Sequence, residues 1–325
     1  GIVVWSLGSI ATGLCSSFWP FFAVRIVVGI GEASFGTIAP GYLKDRICDP
    51  IKLNSQLAIF YSAIPIGAAL GYVFGGTVTA YMSWEYSFVL GGVPGLVCAP
   101  FLLRYRDSHR SEISRVGLVE GVRGLWRVAL LRYIKLGYVL NTAALGGIAV
   151  FVPSYGEQVV GMGLREVNQY FGIILLLAGF AGTFFGGRLA SHVARSAEDK
   201  SAMLCRYSGV VSLLAVIPVF MAFSTESAWL FLSACFIAEL LVFASVAPVN
   251  SAIVLSAPPH LVTLAQGVTI FLIHFFGDLP SPVLVGAVAD QMGLPVGMQL
   301  LTLALLASGV VWVYGPRFAK LTASQ

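Results

Sequence analysis

The chain has 325 residues, of which 58% are hydrophobic and only 10% are charged. Soluble domains contain about a quarter charged residues, so this composition excludes a soluble globular protein and predicts a membrane protein. The formal net charge of +4 is small and indicates orientation in the membrane rather than nucleic-acid binding. The five cysteines are scattered singly, and their spacing predicts neither a metal site nor a disulfide framework.

Ten apolar stretches are long enough, or nearly so, to cross a bilayer as helices. The predicted spans cover residues 1–14, 19–43, 54–80, 87–104, 131–157, 167–187, 201–223, 228–252, 264–288 and 295–316. These runs are too continuous for barrel strands, so the predicted fold class is all-α. All but two of the 19 lysine and arginine residues fall on one side, which is then cytoplasmic. We predict a multi-pass membrane protein, placed in the inner membrane if the source is bacterial. Four tryptophans are expected at the membrane interfaces: Trp19, Trp84 and Trp229 outside and Trp312 inside.

A long polar connection from Arg104 to Arg127 separates four spans from six. It predicts three parts: a helix bundle in 1–104, a cytoplasmic linker in 105–130 and a six-helix bundle in 131–325. Within the linker, apolar and charged residues alternate at helical spacing: Ile113, Val116, Val119, Val122 and Trp126 with Glu112, Arg115, Arg123 and Arg127. Two interpretations stay open, an amphipathic helix on the inner leaflet and a solvated hinge helix.

Two charged residues, Arg25 and Glu32, interrupt the second span. A charge near the centre of a bilayer costs about 2.5 to 3.5 kcal/mol, so such residues are rarely retained without a role. Seven residues are nearly two helical turns, so both side chains leave the same helix face, about 10.5 Å apart along the axis. The charged face is predicted to point into protein and the pair to have a function there. The alternative is a static ion pair that holds the helices together.

Four further polar residues lie inside apolar spans, and each has two interpretations. Glu239 is a candidate cavity group, or a hydrogen-bonding residue in helix packing. His274 and Asp278 stand at i and i+4 and are expected to pair, or to satisfy backbone groups freed by the prolines that follow. Asn141 is a cavity candidate, with an interhelical hydrogen bond as the default.

A short motif follows the sixth span at the cytoplasmic side. The sequence Gly187-Arg188-Leu189-Ala190-Ser191-His192-Val193-Ala194-Arg195 resembles the gate motif of the major facilitator superfamily. Arg25-x-x-x-Gly29-x-Gly31 resembles the arginine motif on that superfamily's fourth helix. The candidate gate residues are Gly187, Arg188, Ser191 and Arg195. Ser191 stands where an aspartate is usual, which puts the gate-locking salt bridge in doubt.

Within that superfamily the chain resembles the Spinster family, whose members are associated with lysophospholipid and sphingolipid transport. Three stretches carry the resemblance: Gly29 to Phe35 with Ile38-Ala39-Pro40, Gly146-Gly147 with Val152 to Tyr155, and His274 to Asp278 with Ser281-Pro282, Gly286 and Asp290. Aligned this way, residue 1 falls in the third helix. We therefore expect a fragment with ten of the twelve transmembrane helices of the major facilitator fold.

The resemblance implies a secondary active transporter that moves a lipid-like amphipathic substrate by alternating access, coupled to protons. It implies that Arg25 and Glu32 take part in proton coupling or substrate binding, and that Glu239 is related to Glu32 by the pseudo-symmetry of the two halves. It implies no enzyme activity, no cofactor and no metal. The expected partners are the substrate, protons and membrane lipids, but not nucleic acid, and the protein is expected to be a monomer. Two alternatives stay open. They are a carrier of small organic anions, with Arg25 binding the carboxylate, and a non-transporting receptor or scaffold of the same fold.

Overall fold

The structure is a computed structural model that describes residues 1–102 and 117–323. The helices of the first part are α1 (Ile2–Thr12), α2 (Phe18–Arg46), α3 (Pro50–Tyr61), α4 (Ala63–Tyr81) and α5 (Glu85–Leu102). Those of the second part are α6 (Leu118–Arg127), α7 (Ala129–Gln158), α8 (Leu164–Ile174), α9 (Phe180–Ala194), α10 (Lys200–Ala222), α11 (Ala228–Ala244), α12 (Val246–Ser256), α13 (Val262–Ile273), α14 (Pro280–Met292) and α15 (Leu294–Ala323). Two π-helical turns, Leu175–Gly179 and His274–Asp278, and a 3-10 turn, Pro259–Leu261, join successive helices. The described residues contain no strand.

Each of the ten predicted spans corresponds to one helix or to a pair of successive helices in the described residues. Eight of these helices or pairs of successive helices are long and apolar enough to cross a membrane, and α1 is a shorter apolar helix. The protein is therefore an all-α, multi-pass membrane protein. Several helices extend past the predicted apolar limits, for example α15, which continues to Ala323. Such extensions are expected because polar residues can continue a helix beyond the hydrocarbon layer.

The predicted span over 54–80 is divided in the structure at Ser62, where α3 ends and α4 begins. Pro65 in the first turn of α4 has no backbone N–H to continue the hydrogen bonding of α3. The last predicted residues of the fourth span, 103–104, lie outside the described residues, as do Glu112, Ile113, Arg115 and Val116 of the predicted linker helix. The described part of that helix is α6.

Much of the core of the C-terminal segment, defined as residues 129–323, forms where α7 packs along α15. Trp312 is fully buried there, and its indole Nε1 donates a hydrogen bond to the carbonyl of Ile134 at 2.9 Å. The indole of Trp312 does not face lipid headgroups, because Gly137 leaves space for it beside α7. Trp19, Trp84 and Trp229 are exposed, as interfacial residues should be.

Candidate functional site

The N-terminal segment, residues 1–102, meets the C-terminal segment through a buried cluster of polar side chains. Asn54 on α3 is fully buried and donates hydrogen bonds to the carbonyl of Gly187 at 2.6 Å and to Ser191 Oγ at 2.8 Å. Its amide oxygen accepts a hydrogen bond from Ser251 on α12 at 2.6 Å. Asn54 therefore joins three helices, α3, α9 and α12, and belongs to both sides of the contact. The cluster of Asn54, Ser55, Ser191 and Ser251 is called the latch below.

Ser191, a predicted gate residue, is the C-terminal segment's main contribution to the latch. Its hydroxyl lies 3.3 Å from the carbonyl of Ile51 and 3.0 Å from that of Gly187, and 3.2 Å from the hydroxyl of Ser55. All of these partners are uncharged. Where the gate motif of the superfamily carries an aspartate, this chain has a neutral hydrogen-bonded contact.

Gly187, the glycine of the motif, allows α9 to approach α3 closely. A Cβ atom on Gly187 would lie 2.4 Å from the Cβ of Ala58, a distance that real side chains do not reach. The other two predicted gate residues do not join the latch. Arg188 is exposed and its guanidinium stacks on Phe184 at 3.9 Å, while Arg195 is exposed at the end of α9.

Lys44 makes a second contact between the segments on the same side. Its ammonium, near the end of α2, donates a hydrogen bond to the carbonyl of Val254 at 2.6 Å and lies 3.5 Å from that of Ala257. These carbonyls belong to the last turn of α12 and the residue after it, where helical carbonyls have no partner and the helix dipole favours a cation. Among the described residues, every side-chain hydrogen bond between the two segments comes from the latch or from Lys44. Both lie on the side that the basic residues mark as cytoplasmic.

His274 and Asp278 lie outside the latch, on the π-helical turn that joins α13 to α14. The imidazole Nδ1 and the carboxylate Oδ2 are 2.7 Å apart, so the predicted pairing is confirmed. The backbone N–H of Leu279 donates to the carbonyl of His274, and Pro280, which has no N–H, begins α14. Wide turns of this type occur often at functional sites.

Glu32 on α2 lies opposite His274 in the contact between the segments. α2 packs along α13, where a Cβ on Gly36 would lie 3.5 Å from Ile270, and Glu32 and His274 are each one helical turn beyond that point. Glu32 and Arg25 are both exposed, and the Arg25 guanidinium lies 5.8 Å from the centre of the Phe88 ring. Although both belong to the described residues, Arg25 and Glu32 form no ion pair with each other. The static ion pair considered from the sequence is therefore absent. The group of Glu32, His274 and Asp278 is called the acidic-histidine group below.

Asn141 and Glu239 lie apart from this group, inside the C-terminal segment. Asn141 is fully buried and donates a hydrogen bond to Ser212 on α10 at 3.3 Å, which is the interhelical bond named as the default. Glu239 is also buried and faces a cavity of about 10 Å³ lined by residues of α7, α10 and α11. Its Oε2 has no hydrogen-bond partner in the described part of the chain. Glu239 is buried where Glu32 is exposed, so the two carboxyl groups differ in surroundings.

Sequence reasoning did not find Asn54, Ser251 or Lys44 as functional residues. Lys44 was counted only as a loop cation that indicates orientation, and the two small polar residues at the cytoplasmic ends of apolar spans resemble ordinary packing residues. A signal was nevertheless present. Asn54 is an amide at the boundary of an apolar span, where its burial requires hydrogen-bond partners.

Residues 1–279 match the Major Facilitator Superfamily. The chain belongs to this superfamily, and the class of protein is a membrane transporter. The fold agrees: the solved structure of the E. coli fucose:proton symporter has a TM-score of 0.73 at 15% identity, covering 98% of this chain and 83% of the symporter. A bacterial homologue of the human lysosomal transporter Spinster, in an inward-facing and unoccupied conformation, has a TM-score of 0.60 at 18% identity, covering 99% and 81%.

Within the superfamily the chain is Spinster-like. The probable sphingolipid transporter spinster homolog 3 of Arabidopsis thaliana is 29% identical to it, covering 97% of this chain and 68% of the plant protein. Relatives of the same type occur in animals, among them protein spinster of Drosophila melanogaster, which is 25% identical over 90% of this chain. The resemblance indicated by the sequence is thereby confirmed.

Proposed function

We propose that the protein is a proton-coupled secondary transporter that moves a lipid-like amphipathic substrate by alternating access. The observation that carries the proposal is the acidic-histidine group, which the packing of α2 on α13 assembles from Glu32 of the N-terminal segment and the His274–Asp278 pair of the C-terminal segment. The protonation of a carboxyl group depends on its exposure to water and on nearby charges. Both change when the two segments move apart, so protonation and movement are coupled at this place.

The contacts between the segments support alternating access. The latch and Lys44 hold the cytoplasmic ends of α2, α3, α9 and α12 together, so opening on that side requires these hydrogen bonds to break. Hydrogen bonds between neutral groups contribute only about 0.5 to 1.5 kcal/mol each. A latch of this strength suits a contact that opens in every transport cycle.

The substrate class is carried over from the relatives. The plant relative is named a probable sphingolipid transporter. In this chain the Phe271 and Phe275 rings stack at 5.3 Å beside His274, and both are more than half exposed. An apolar surface beside charged groups suits a lysophospholipid or a sphingoid lipid, with Arg25 binding the anionic headgroup. Asn141 and Glu239 are proposed to act in coupling from inside the C-terminal segment, and the protein is proposed to act as a monomer.

The test is uptake into proteoliposomes by the complete protein, with and without a proton gradient. The substrates are labelled lysophospholipid, sphingoid lipid and small organic anions. Glu32→Gln replaces the carboxyl group with a neutral amide of similar size, so lipid uptake should lose its dependence on the gradient. Glu226→Gln, in the exposed connection between α10 and α11, removes the same charge away from the site and should leave gradient-driven uptake unchanged.

Three results would contradict the proposal. Gradient-driven uptake of small anions but not of lipids would favour the small-anion carrier, with Arg25 binding a carboxylate. Unchanged coupling in Glu32→Gln would remove Glu32 from the mechanism. Absence of all transport would favour the receptor or scaffold alternative.

A further inference from the structure

Helix α6 has three distinct faces. Gly121 and Leu125 are buried against the rest of the protein. Leu118 and Val119 are 70% and 73% exposed, and with Trp126 they form an apolar face that no described part of the chain covers. The charged residues Glu120, Arg123 and Arg127 form the third face. A helix with one face on protein, one apolar and one basic is typical of a helix that lies in the plane of a membrane surface.

The position of α6 in the chain places it at that surface. It ends at Arg127, and only Val128 separates it from α7, which crosses the membrane. The side is the cytoplasmic one, where anionic lipids attract basic segments. Between residues 104 and 135 the sequence contains eight basic and three acidic residues, so its charge is complementary to an anionic leaflet.

Lys135, two turns into α7, is an independent indication. Its side chain is only 2% exposed, and its ammonium lies 5.7 Å from the Trp126 ring. Within the described residues it forms no hydrogen bond and no ion pair. Burial of a cation without an anionic partner is costly, and the Trp126 ring offsets part of that cost by a cation–π contact. Lys135 thus fixes α6 against the first turns of α7, at the level of the membrane surface.

We infer that α6 docks on the cytoplasmic leaflet, with Leu118, Val119 and Trp126 among the acyl chains. The exposed Arg123 and Arg127 hold the headgroups of anionic phospholipids. The docked helix also supports the closed cytoplasmic side. Gly124 of α6 lies against Leu261, in the connection that follows Ala257 and α12. The leaflet thus supports the end of α12, where the carbonyls of Val254 and Ala257 accept the hydrogen bonds of Lys44. This last step rests on the proposed transport cycle, whereas the docking does not.

The docking is tested by spin labels on single cysteines, in the complete protein without its native cysteines. Val119→Cys reports the apolar face and Glu120→Cys, one residue away, reports the charged face. The labels are compared in vesicles of phosphatidylcholine and in an equal mixture of phosphatidylcholine and phosphatidylglycerol. We expect the label at 119 to be quenched by oxygen and the label at 120 by a water-soluble nickel chelate. The label at 119 should move deeper when phosphatidylglycerol is present.

The effect of anionic lipid is tested with Arg123→Gln/Arg127→Gln. This variant should abolish the difference in the depth of the label at 119 between the two vesicle types. Arg317→Gln/Lys320→Gln makes the same change of charge at the cytoplasmic end of α15 and should preserve the difference. Access of the nickel chelate to the label at 119 would overturn the docking, and shielding from both reagents would show a protein partner instead. Equal hydrogen exchange of residues 257–261 in both vesicle types would overturn the support of α12. Neither readout requires transport, so both stay valid if the proposed substrate is wrong.

Discussion

Asn54 makes the densest set of contacts between the two segments. Its side chain is fully buried and forms hydrogen bonds to Gly187, Ser191 and Ser251. No apolar residue of similar size can replace these bonds. Loss of the amide would leave the buried carbonyl of Gly187 and the hydroxyl groups of Ser191 and Ser251 without this hydrogen-bond partner. Each buried polar group that loses its partner costs about 1 to 3 kcal/mol of free energy.

Asn54→Ala is therefore expected to weaken the closed cytoplasmic side by about 1 to 3 kcal/mol, a change of about 5- to 150-fold in the open-to-closed ratio. The measurement is the rate at which a water-soluble thiol reagent, added from the cytoplasm, labels a cysteine at Ala33 on α2. This rate should rise. Asn250→Ala removes another buried asparagine, but its partner Tyr138 lies in the same segment. That variant should lose thermal stability without faster labelling, and equal labelling of the two variants would refute a special role for Asn54.

At the scale of elements, the packing of α7 against the π-helical turn positions His274 and Asp278. A Cβ on Gly146 of α7 would lie 2.8 Å from the Cα of Asp278, and a Cβ on Gly277 would lie 2.9 Å from the carbonyl of Val139. The two glycines thus allow the helices to approach closely from both sides. The paired side chains owe their position to this contact, because small residues bring membrane helices together.

Gly146→Ala should separate α7 from the turn and destabilise the protein by about 1 to 3 kcal/mol, as overpacking usually does. Gly67→Ala is the matched change on α4, where a Cβ would meet no atom within 4 Å. That substitution should be neutral or stabilising by about 0.5 to 1 kcal/mol, since alanine is the better helix former. Thermal unfolding in detergent measures both. Equal melting temperatures in the two variants would contradict the close packing.

For the whole molecule, the structure joins its two segments by hydrogen bonds on the cytoplasmic side. The hydroxyl groups of Ser55 and Ser191 are 3.2 Å apart across the contact. Sulfur atoms placed near these positions would need to approach by only about 1 Å to reach the S–S bond length of about 2.05 Å. A covalent bond there would hold the cytoplasmic side closed, and alternating access requires that side to open.

Oxidation of Ser55→Cys/Ser191→Cys, on a background without native cysteines, should therefore stop transport, and a reductant should restore it. Substrate uptake and the shift of the band in non-reducing gels are measured together. Ser201 and Ser256 supply the control pair, since their hydroxyl groups are hydrogen-bonded but both lie in the C-terminal segment. A disulfide at Ser201→Cys/Ser256→Cys should leave transport intact. Continued transport by the oxidised first pair would exclude opening at the latch.

The sequence alone determined the class and the spans of this protein, and it predicts the orientation. Span length and basic residues in loops are local properties of the chain, so hydropathy and charge predict them without knowledge of packing. The pairing of His274 with Asp278 was also predictable, because it joins residues four apart on one segment. The spacing of Arg25 and Glu32 placed them on one helix face, but it could not say whether they pair.

Only the tertiary structure decided how the segments meet. Asn54 is separated by 133 residues from Gly187 and by 197 from Ser251, and no local pattern joins such positions. The burial of Trp312 likewise depends on a glycine in another helix. In a membrane, neighbouring helices are as apolar as the lipid, so hydropathy does not distinguish a face that contacts protein from one that contacts acyl chains. Side-chain shape and hydrogen bonds between distant residues make that choice.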